Sequence, residues 1–426
     1  MATPIRRLLR SLRESTLLRN TGWMFGGYGL QILIQSAYFV LIARSLGSGQ
    51  YGAFVAVTAM VSVAAPFCGF GAANLLVKNV ARDRSLMGVY WGNGLLAICA
   101  SGVGFLAVIL SLARFLLPSS VTILSVLMVG VSDLILVKVA DLASAAFQSI
   151  LVMRKSAQLQ VFTSLFRLGG ILLLRILYAH PTAAAWAVVY FVATGLTAAY
   201  GLLYTTAQVG RPRFSLSRIG PEFVEGFYFS VSLSAQTIYN DVDKMMLARM
   251  VALDATGIYT AAYRVIDVAF SPVRSLLNAA YPSVFRHGAG GIGKSFSFCL
   301  RLTRPAVIYS VCAAAAMWVG APLLPHLLGP QFAATAEALR WLALLPLLKS
   351  VHYFMGEALT GAGFQGTRAS LHVAVAVFNV LINLWLIPAY GWRGAAFSSL
   401  LSDALLAVSM FGAVRVRSHL HMERTV

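Results

Sequence analysis

Apolar residues along this chain fall into twelve runs, near 22–43, 51–73, 87–112, 119–147, 157–178, 182–207, 224–243, 255–284, 304–328, 334–361, 369–390 and 392–414. About 20 apolar residues in a helix cross the hydrocarbon layer of a bilayer, so each run is long enough for one crossing and only short loops remain between them. The pattern predicts an all-α, polytopic membrane protein with twelve transmembrane helices. Composition agrees: 59% of residues are hydrophobic and 11% charged, with a mean hydropathy of +0.78. A soluble domain of this length is a poor fit.

Charge then orients the spans. Of 33 basic residues, 21 fall in every second gap between the runs: Arg6, Arg7, Arg10, Arg13 and Arg19 at the start; Lys78, Arg82, Arg84, Arg154, Lys155, Arg211, Arg213, Arg218, Arg286, Lys294, Arg301, Arg304 and Arg368 along the chain; Arg415, Arg417 and Arg424 at the end. The opposite side holds six, Arg44, Arg114, Arg175, Lys244, Arg249 and Arg393. The positive-inside rule places both termini in the cytoplasm. The net charge of +19 is accounted for by helix orientation and by anionic lipid headgroups, and needs no nucleic acid. Residues 1–21 read as a retained amphipathic segment with Leu8, Leu9 and Leu12 opposite arginines. Cys68, Cys99, Cys299 and Cys312 lie in or beside apolar runs, far apart, and read as small core fillers rather than as a disulfide or metal site.

The chain also carries an internal repeat. Residues 43–54 align without a gap on residues 248–259, matching Ala43-Arg44 with Ala248-Arg249, Gly52 with Gly257 and Phe54 with Tyr259, and Pro66 and Pro272 keep nearly the same offset of 205. The repeat joins the first two runs to the seventh and eighth, as a six-plus-six duplication requires. Two such copies share one orientation and are related by an axis along the membrane normal, an arrangement that sets a substrate site between the halves.

Three segments carry a family resemblance. Leu41-Ile42-Ala43-Arg44-Ser45-Leu46-Gly47 followed by Tyr51-Gly52, then Asp243-Lys244-Met245-Met246-Leu247 followed by Gly257-Ile258-Tyr259-Thr260-Ala261-Ala262-Tyr263-Arg264, and the late Tyr390-Gly391-Trp392-Arg393-Gly394-Ala395-Ala396 are similar to loops of the polysaccharide and O-antigen flippases. That family belongs to the multidrug, oligosaccharidyl-lipid and polysaccharide (MOP) exporter superfamily. The resemblance runs from about residue 20 to about 414. It implies a MATE-like fold of two six-helix bundles with a V-shaped central cavity: residues 22–207 as one lobe, 208–223 as a cytoplasmic linker, 224–414 as the second lobe and 415–426 as a cytoplasmic tail.

Within the eighth run, Arg264, Asp267, Ser271, Arg274 and Asn278 are spaced 3, 4, 3 and 4 apart, which places them within roughly 80° of one another on a helix. A charged side chain at mid-bilayer costs about 2.5–3.5 kcal/mol even on a lenient scale, so this face is expected to turn to a polar interior. An Arg264–Asp267 ion pair pinning two helices is the structural alternative, and Pro272 is expected to kink the helix. Other runs add Asp133, Lys138, Asp141, Arg167, Lys349, His352, Glu357 and Asp403. Lys138 and Asp141 can neutralise one another, Arg167 needs a partner such as Asp133 or Asp141, and His352 reads as a hydrogen-bonded packing histidine. Arg340 and Glu337 fall close to the outer interface. Asp241, Asp243 and Asp254 read as helix-end and interface polarity.

Arginines and lysines at depth suit an anionic passenger, because a guanidinium grips phosphate through paired, charge-assisted hydrogen bonds. Together with the resemblance, this points to a flippase, not an enzyme, in a bacterial inner membrane. It would move polyprenyl-diphosphate-linked oligosaccharide, the repeat unit of O-antigen, lipopolysaccharide or exopolysaccharide, by alternating access. Arg264, Arg274, Lys349, Arg167, Lys138 and Asn278 are the candidate substrate ligands. Asp267, Asp133, Asp141 and Glu357 are candidates for a coupling Na+ or H+, with both ions, and uncoupled transport, left open. No other cofactor is expected; the expected partners are the lipid-linked oligosaccharide, membrane lipids, a polysaccharide polymerase and a chain-length regulator. The rivals are a multidrug exporter of the same superfamily and a membrane glycosyltransferase or polymerase, the latter disfavoured by outer loops of only about a dozen residues. No Walker A pattern occurs; Gly26, Gly27, Gly29, Gly102 and Gly104 suit close helix contacts.

Overall fold

A computed structural model describes the backbone of residues 3–81, 83–215 and 219–423. Fifteen α-helices cover almost all of it: α1 Thr3–Ala64, α2 Ala72–Val80, α3 Met87–Leu116, α4 Ile123–Val131, α5 Val137–Ser149, α6 Met153–Leu177, α7 Ala183–Val209, α8 Ile219–Met250, α9 Leu253–Gly288, α10 Ile292–Gly320, α11 Leu323–Leu328, α12 Thr335–Leu342, α13 Leu345–Gly361, α14 Gln365–Tyr390 and α15 Trp392–Glu423. No strand occurs among the described residues.

The apolar runs map onto these helices in order. The first two share α1, which bends at Gly47 (φ 72°, ψ 172°); a positive φ there turns the chain without the Cβ clash any other residue would meet. The fourth run is α4 and α5 joined by a π-helical turn, Ser132–Leu136. The ninth ends in α10 and α11, and the tenth is α12 and α13. Threonine caps open two of the helices, Thr122 accepting from the Ser125 amide at 3.3 Å and Thr182 from the Ala185 amide at 3.2 Å. The helix α9 is continuous through Pro272, and Ser271 Oγ donates to the Asp267 carbonyl at 3.0 Å one turn below. The amphipathic reading of residues 1–21 depends on side chains outside the described residues, as do Arg218 and Arg424.

Among the described residues, eight helical stretches are long and apolar enough to cross a membrane by themselves; α9 is outside that set, as are the short α12 and α13. Helices α9 and α13 carry several of the charged and amide side chains described below.

Two compact units emerge: residues 1–45, 64–115 and 119–231 form the first, and 46–63, 116–118 and 232–426 the second. The first is built on Leu76, Trp91, Ile98, Leu142, Phe147 and Leu159, all essentially buried. The second centres on Phe270, Cys299, Phe354, Leu359, Leu406 and Met410. All four cysteines are free; Cys68 and Cys299 are buried as expected, whereas Cys99 and Cys312 are exposed on α3 and α10, correcting their reading as core fillers.

Within the second unit, the two repeat copies cross. A Cβ added to Gly52 would lie 1.8 Å from the Leu253 carbonyl oxygen, and one added to Gly257 would lie 2.1 Å from the Ser48 carbonyl oxygen. Because 48 and 253, like 52 and 257, are equivalent positions of the repeat, the contact is reciprocal. Lipid-embedded helices gain little from apolar burial and associate by close van der Waals approach, which small residues permit. Ser48 Oγ closes the crossing with a 2.5 Å hydrogen bond to Asp254 Oδ1.

Candidate functional site

The polar residues of the second unit gather around a cleft of about 360 Å³. It is lined by Gln236, Thr237, Asn240 and Asp241 of α8, Arg274, Leu277 and Asn278 of α9, Tyr353 and Glu357 of α13, and Arg368 of α14. Gln236 and Asn240 on α8, and Arg274 and Asn278 on α9, stand four residues apart and so share a helix face. Tyr353 and Glu357 repeat the spacing on α13.

Two guanidinium groups reach this cleft in different states. Arg368 Nη1 donates to Glu357 Oε1 at 3.0 Å and to Thr360 Oγ1 at 2.8 Å, so its charge is matched. Arg274 is exposed, its guanidinium carbon 5.9 Å from the Phe270 ring centre, and it forms no ion pair among the described residues. The remaining Glu357 oxygen, Oε2, is buried without a hydrogen-bond partner among them. Gln236 Nε2 donates to the Tyr353 hydroxyl at 2.6 Å, and Asn240 Nδ2 to the Gln236 carbonyl at 2.8 Å.

Behind the lining lies a buried polar layer. Lys349, 5% exposed, donates to Asn240 Oδ1 at 3.1 Å and to the Tyr263 hydroxyl at 3.0 Å. Lys244 Nζ bonds the Asn240 carbonyl at 2.9 Å and pairs with Asp241. Buried Asp243 accepts from Tyr259 at 2.5 Å and from Ser399 at 3.2 Å. His352 Nε2 meets Asp403 Oδ1 at 2.9 Å with both side chains almost fully covered.

The first unit holds a separate cluster. Asp133, on the π-helical turn, accepts from the Tyr190 hydroxyl at 2.7 Å, and the Arg167 guanidinium lies over the Tyr190 ring, 4.5 Å from its centre. The positive charges of Arg167 and Lys138 both act on Asp133. Tyr38 and Tyr190 flank Trp186, with ring centres 5.7 and 6.0 Å away. Lys138 and Asp141 stand one turn apart on α5, with Asp141 exposed.

The α9 stripe is thus divided. Arg274 and Asn278 line the cleft, whereas Arg264 hydrogen-bonds Tyr51 and feels the Asp267 charge. Lys349 sits behind the cleft wall and contacts it through Asn240. Arg167, Asp133, Lys138 and Asp141 belong to the first unit. His352 is a hydrogen-bonded buried histidine as expected. The sequence reading placed Lys244 in an outer loop; it is 6% exposed inside α8, which extends to Met250. It also passed over Arg368 as a loop charge and over Gln236, Thr237, Asn240 and Tyr353 altogether. For Arg368 the available signal was a lone arginine eleven residues past an unmatched intramembrane glutamate.

A family model described as polysaccharide biosynthesis protein matches residues 17–287. The chain is 24% identical over 401 residues to a probable low-salt glycan biosynthesis flippase, Agl15, of Haloferax volcanii, covering 90% of this chain and 79% of that protein. Its fold is similar to that of a multidrug resistance MATE family transporter of the MOP superfamily, solved in an inward-facing conformation, with TM-score 0.78 and 16% identity over 93% and 96% of the two chains. A MOP superfamily transporter from Pyrococcus furiosus, described as having a binding pocket of reverse polarity, gives TM-score 0.67 and 15% identity over 94% and 95%.

Proposed function

Because the chain belongs to the polysaccharide biosynthesis protein family of the MOP superfamily and is a multi-pass membrane protein, we propose that it flips a polyprenyl-diphosphate-linked oligosaccharide from the cytoplasmic to the periplasmic leaflet of a bacterial inner membrane. It makes and breaks no covalent bond in doing so. The observation that carries this reading is Arg274, a cation open to a polar cleft with no ion-pair partner among the described residues, beside a second arginine whose carboxylate can be displaced. Carrying a diphosphate through hydrocarbon is opposed by the loss of its hydration. Fixed guanidinium and amide donors replace that hydration with charge-assisted hydrogen bonds. A cleft of this size is of the usual order for a small-ligand site, so it takes the headgroup and leaves the glycan and prenyl chain outside it.

Arg274, Arg368 and Asn278 hold the headgroup, with Asn240 and Gln236 as further polar contacts. Lys349 acts from behind, through Asn240. The carboxylates of Asp267, Asp133, Asp141 and Glu357 are proposed to exchange the coupling ion. Transport in reconstituted vesicles that ignores imposed pH and sodium gradients would remove this coupling. A strain carrying Arg274→Ala and Arg368→Ala at normal protein levels is expected to accumulate lipid-linked oligosaccharide on the inner leaflet. Normal surface polysaccharide in that strain would sink the assignment.

One observation supports a second reading, a multidrug exporter: Asp241, Glu357 and the Tyr353 ring offer the same cleft negative charge and an aromatic face, the groups that attract organic cations. A deletion strain that becomes drug-sensitive while its glycans stay intact would favour it.

A further inference from the structure

We propose that the His352–Asp403 pair is a proton-binding site, linked through Lys349 to an anion in the cleft. The pair is enclosed: His352 is 1% exposed and Asp403 also 1%. With the Asp403 carboxylate accepting from Nε2 at 2.9 Å, Nε2 carries the hydrogen and Nδ1 presents a bare lone pair. Nδ1 is buried and has no hydrogen-bond partner among the described residues. Packing alone would place an apolar ring here, because an unmade buried hydrogen bond costs about 1–3 kcal/mol. A vacant basic nitrogen backed by a carboxylate is instead a receptacle for one proton, which converts the pair from neutral imidazole and carboxylate to imidazolium and carboxylate.

Helices α8, α9, α13, α14 and α15 each supply a group near this pair. From α8 comes Tyr239, whose ring is edge-on to His352 at 6.4 Å and stacked on His372 of α14 at 5.9 Å. From α9 come Tyr259 and Tyr263, which feel the Asp403 charge. Tyr353 and Lys349 come from α13, Arg368 from α14 and Asp403 itself from α15; Lys349 and Arg368 both oppose positive charge at His352. The Lys349 ammonium is met only by neutral oxygens among the described residues, those of Asn240 and Tyr263, so no carboxylate is bonded to it directly. An anion in the cleft, beside Asn240 and Arg368, cancels part of the positive field of Lys349 and Arg368. It therefore favours protonation of His352, and by reciprocity protonation strengthens anion binding. The diphosphate would then cross while the protein around it carries one more positive charge. The linkage rests on the anionic-headgroup reading; the proton site does not.

The test uses purified full-length protein and mass spectrometry of hydrogen exchange at histidine C2, which reports protonation residue by residue. His352 is expected to give a sigmoidal profile within about pH 5–8, the range in which histidine charge ordinarily changes, with exposed His326 as calibrant. Asp403→Asn is expected to move the midpoint by about one unit or more. Inorganic pyrophosphate is expected to raise the wild-type midpoint, and binding it should take up protons in wild type but fewer in His352→Gln. A flat His352 profile, or one that Asp403→Asn leaves in place, overturns the proton site. A midpoint that responds to Asp403→Asn but not to bound pyrophosphate overturns the linkage alone. If pyrophosphate does not bind, the headgroup reading fails while the proton site stands on its own profile.

Discussion

The two units each hold arginines, carboxylates and tyrosines at membrane depth, yet they use them in opposite ways. In the first, Arg167 lies on the ring of Tyr190, whose hydroxyl donates to Asp133, so cation, aromatic ring and carboxylate answer one another. In the second, Arg274 faces an open cleft with no ion-pair partner among the described residues, and Arg368 shares a glutamate that has an oxygen to spare. Ionisable groups in a membrane helix are therefore not equally informative about transport. A cation open to a polar cleft points to a passenger more strongly than one laid over a ring, and Arg274 of the second unit is such a cation.

This contrast can be broken by experiment. Arg167→Ala removes the cation over the Tyr190 ring and leaves Asp133 with the Tyr190 hydroxyl and the Lys138 charge. A cation–π contact is worth about 2 kcal/mol when desolvated, so unfolding in detergent is expected to shift by roughly that amount; unchanged stability would mean that the first cluster does not hold the fold together. Arg274→Ala is expected to do the reverse. It should lose about 1.5–3 kcal/mol of headgroup binding, the scale of one charge-assisted hydrogen bond, roughly ten- to a hundredfold in apparent affinity, while thermal stability stays within about 0.5 kcal/mol. A stability loss as large as that of Arg167→Ala would erase the distinction. Glu357→Gln weakens the hold on Arg368 and is expected to tighten pyrophosphate binding by a few-fold, measured by titration calorimetry; weaker binding would mean that Glu357 positions Arg368 instead of competing for it. The smallest effect belongs to Arg393, which pairs bidentately with Glu337 at 3.0 Å on the exposed surface. Arg393→Ala should change neither transport nor thermal stability measurably, since an exposed ion pair contributes little.

The spans were legible because hydropathy is additive along the chain and each crossing demands a fixed length. What it did not reveal is where a span bends or breaks. Residues 44–50 read as a loop between two spans, but Gly47 lets α1 turn and continue. The π-helical turn at Ser132–Leu136 has only Ser132 and Asp133 as polar residues, and a hydropathy window averages over both. For the site, the 3–4 spacing on α9 singled out Arg274 and Asn278, because one helix face is a local property. The same logic could not separate Arg264, which finds Tyr51 some two hundred residues away in the chain. Arg368 was misjudged for the converse reason: near a span end it counts as a loop charge, and only the approach of α13 to α14 turns it inward. Lys349, an expected ligand, became a supporting group because Asn240 and Tyr263 lie in front of it, a fact held in the packing of three helices.

The reciprocal meeting of Gly52 and Gly257 has a bearing on how such a chain can drift. Each glycine serves the other copy's carbonyl, not its own, so a side chain gained at either position is felt at the other. A methyl gained on either side collides with main chain, which cannot swing away as a side chain would. Positions 205 residues apart thus share one mutual steric constraint, set by main chain on both sides.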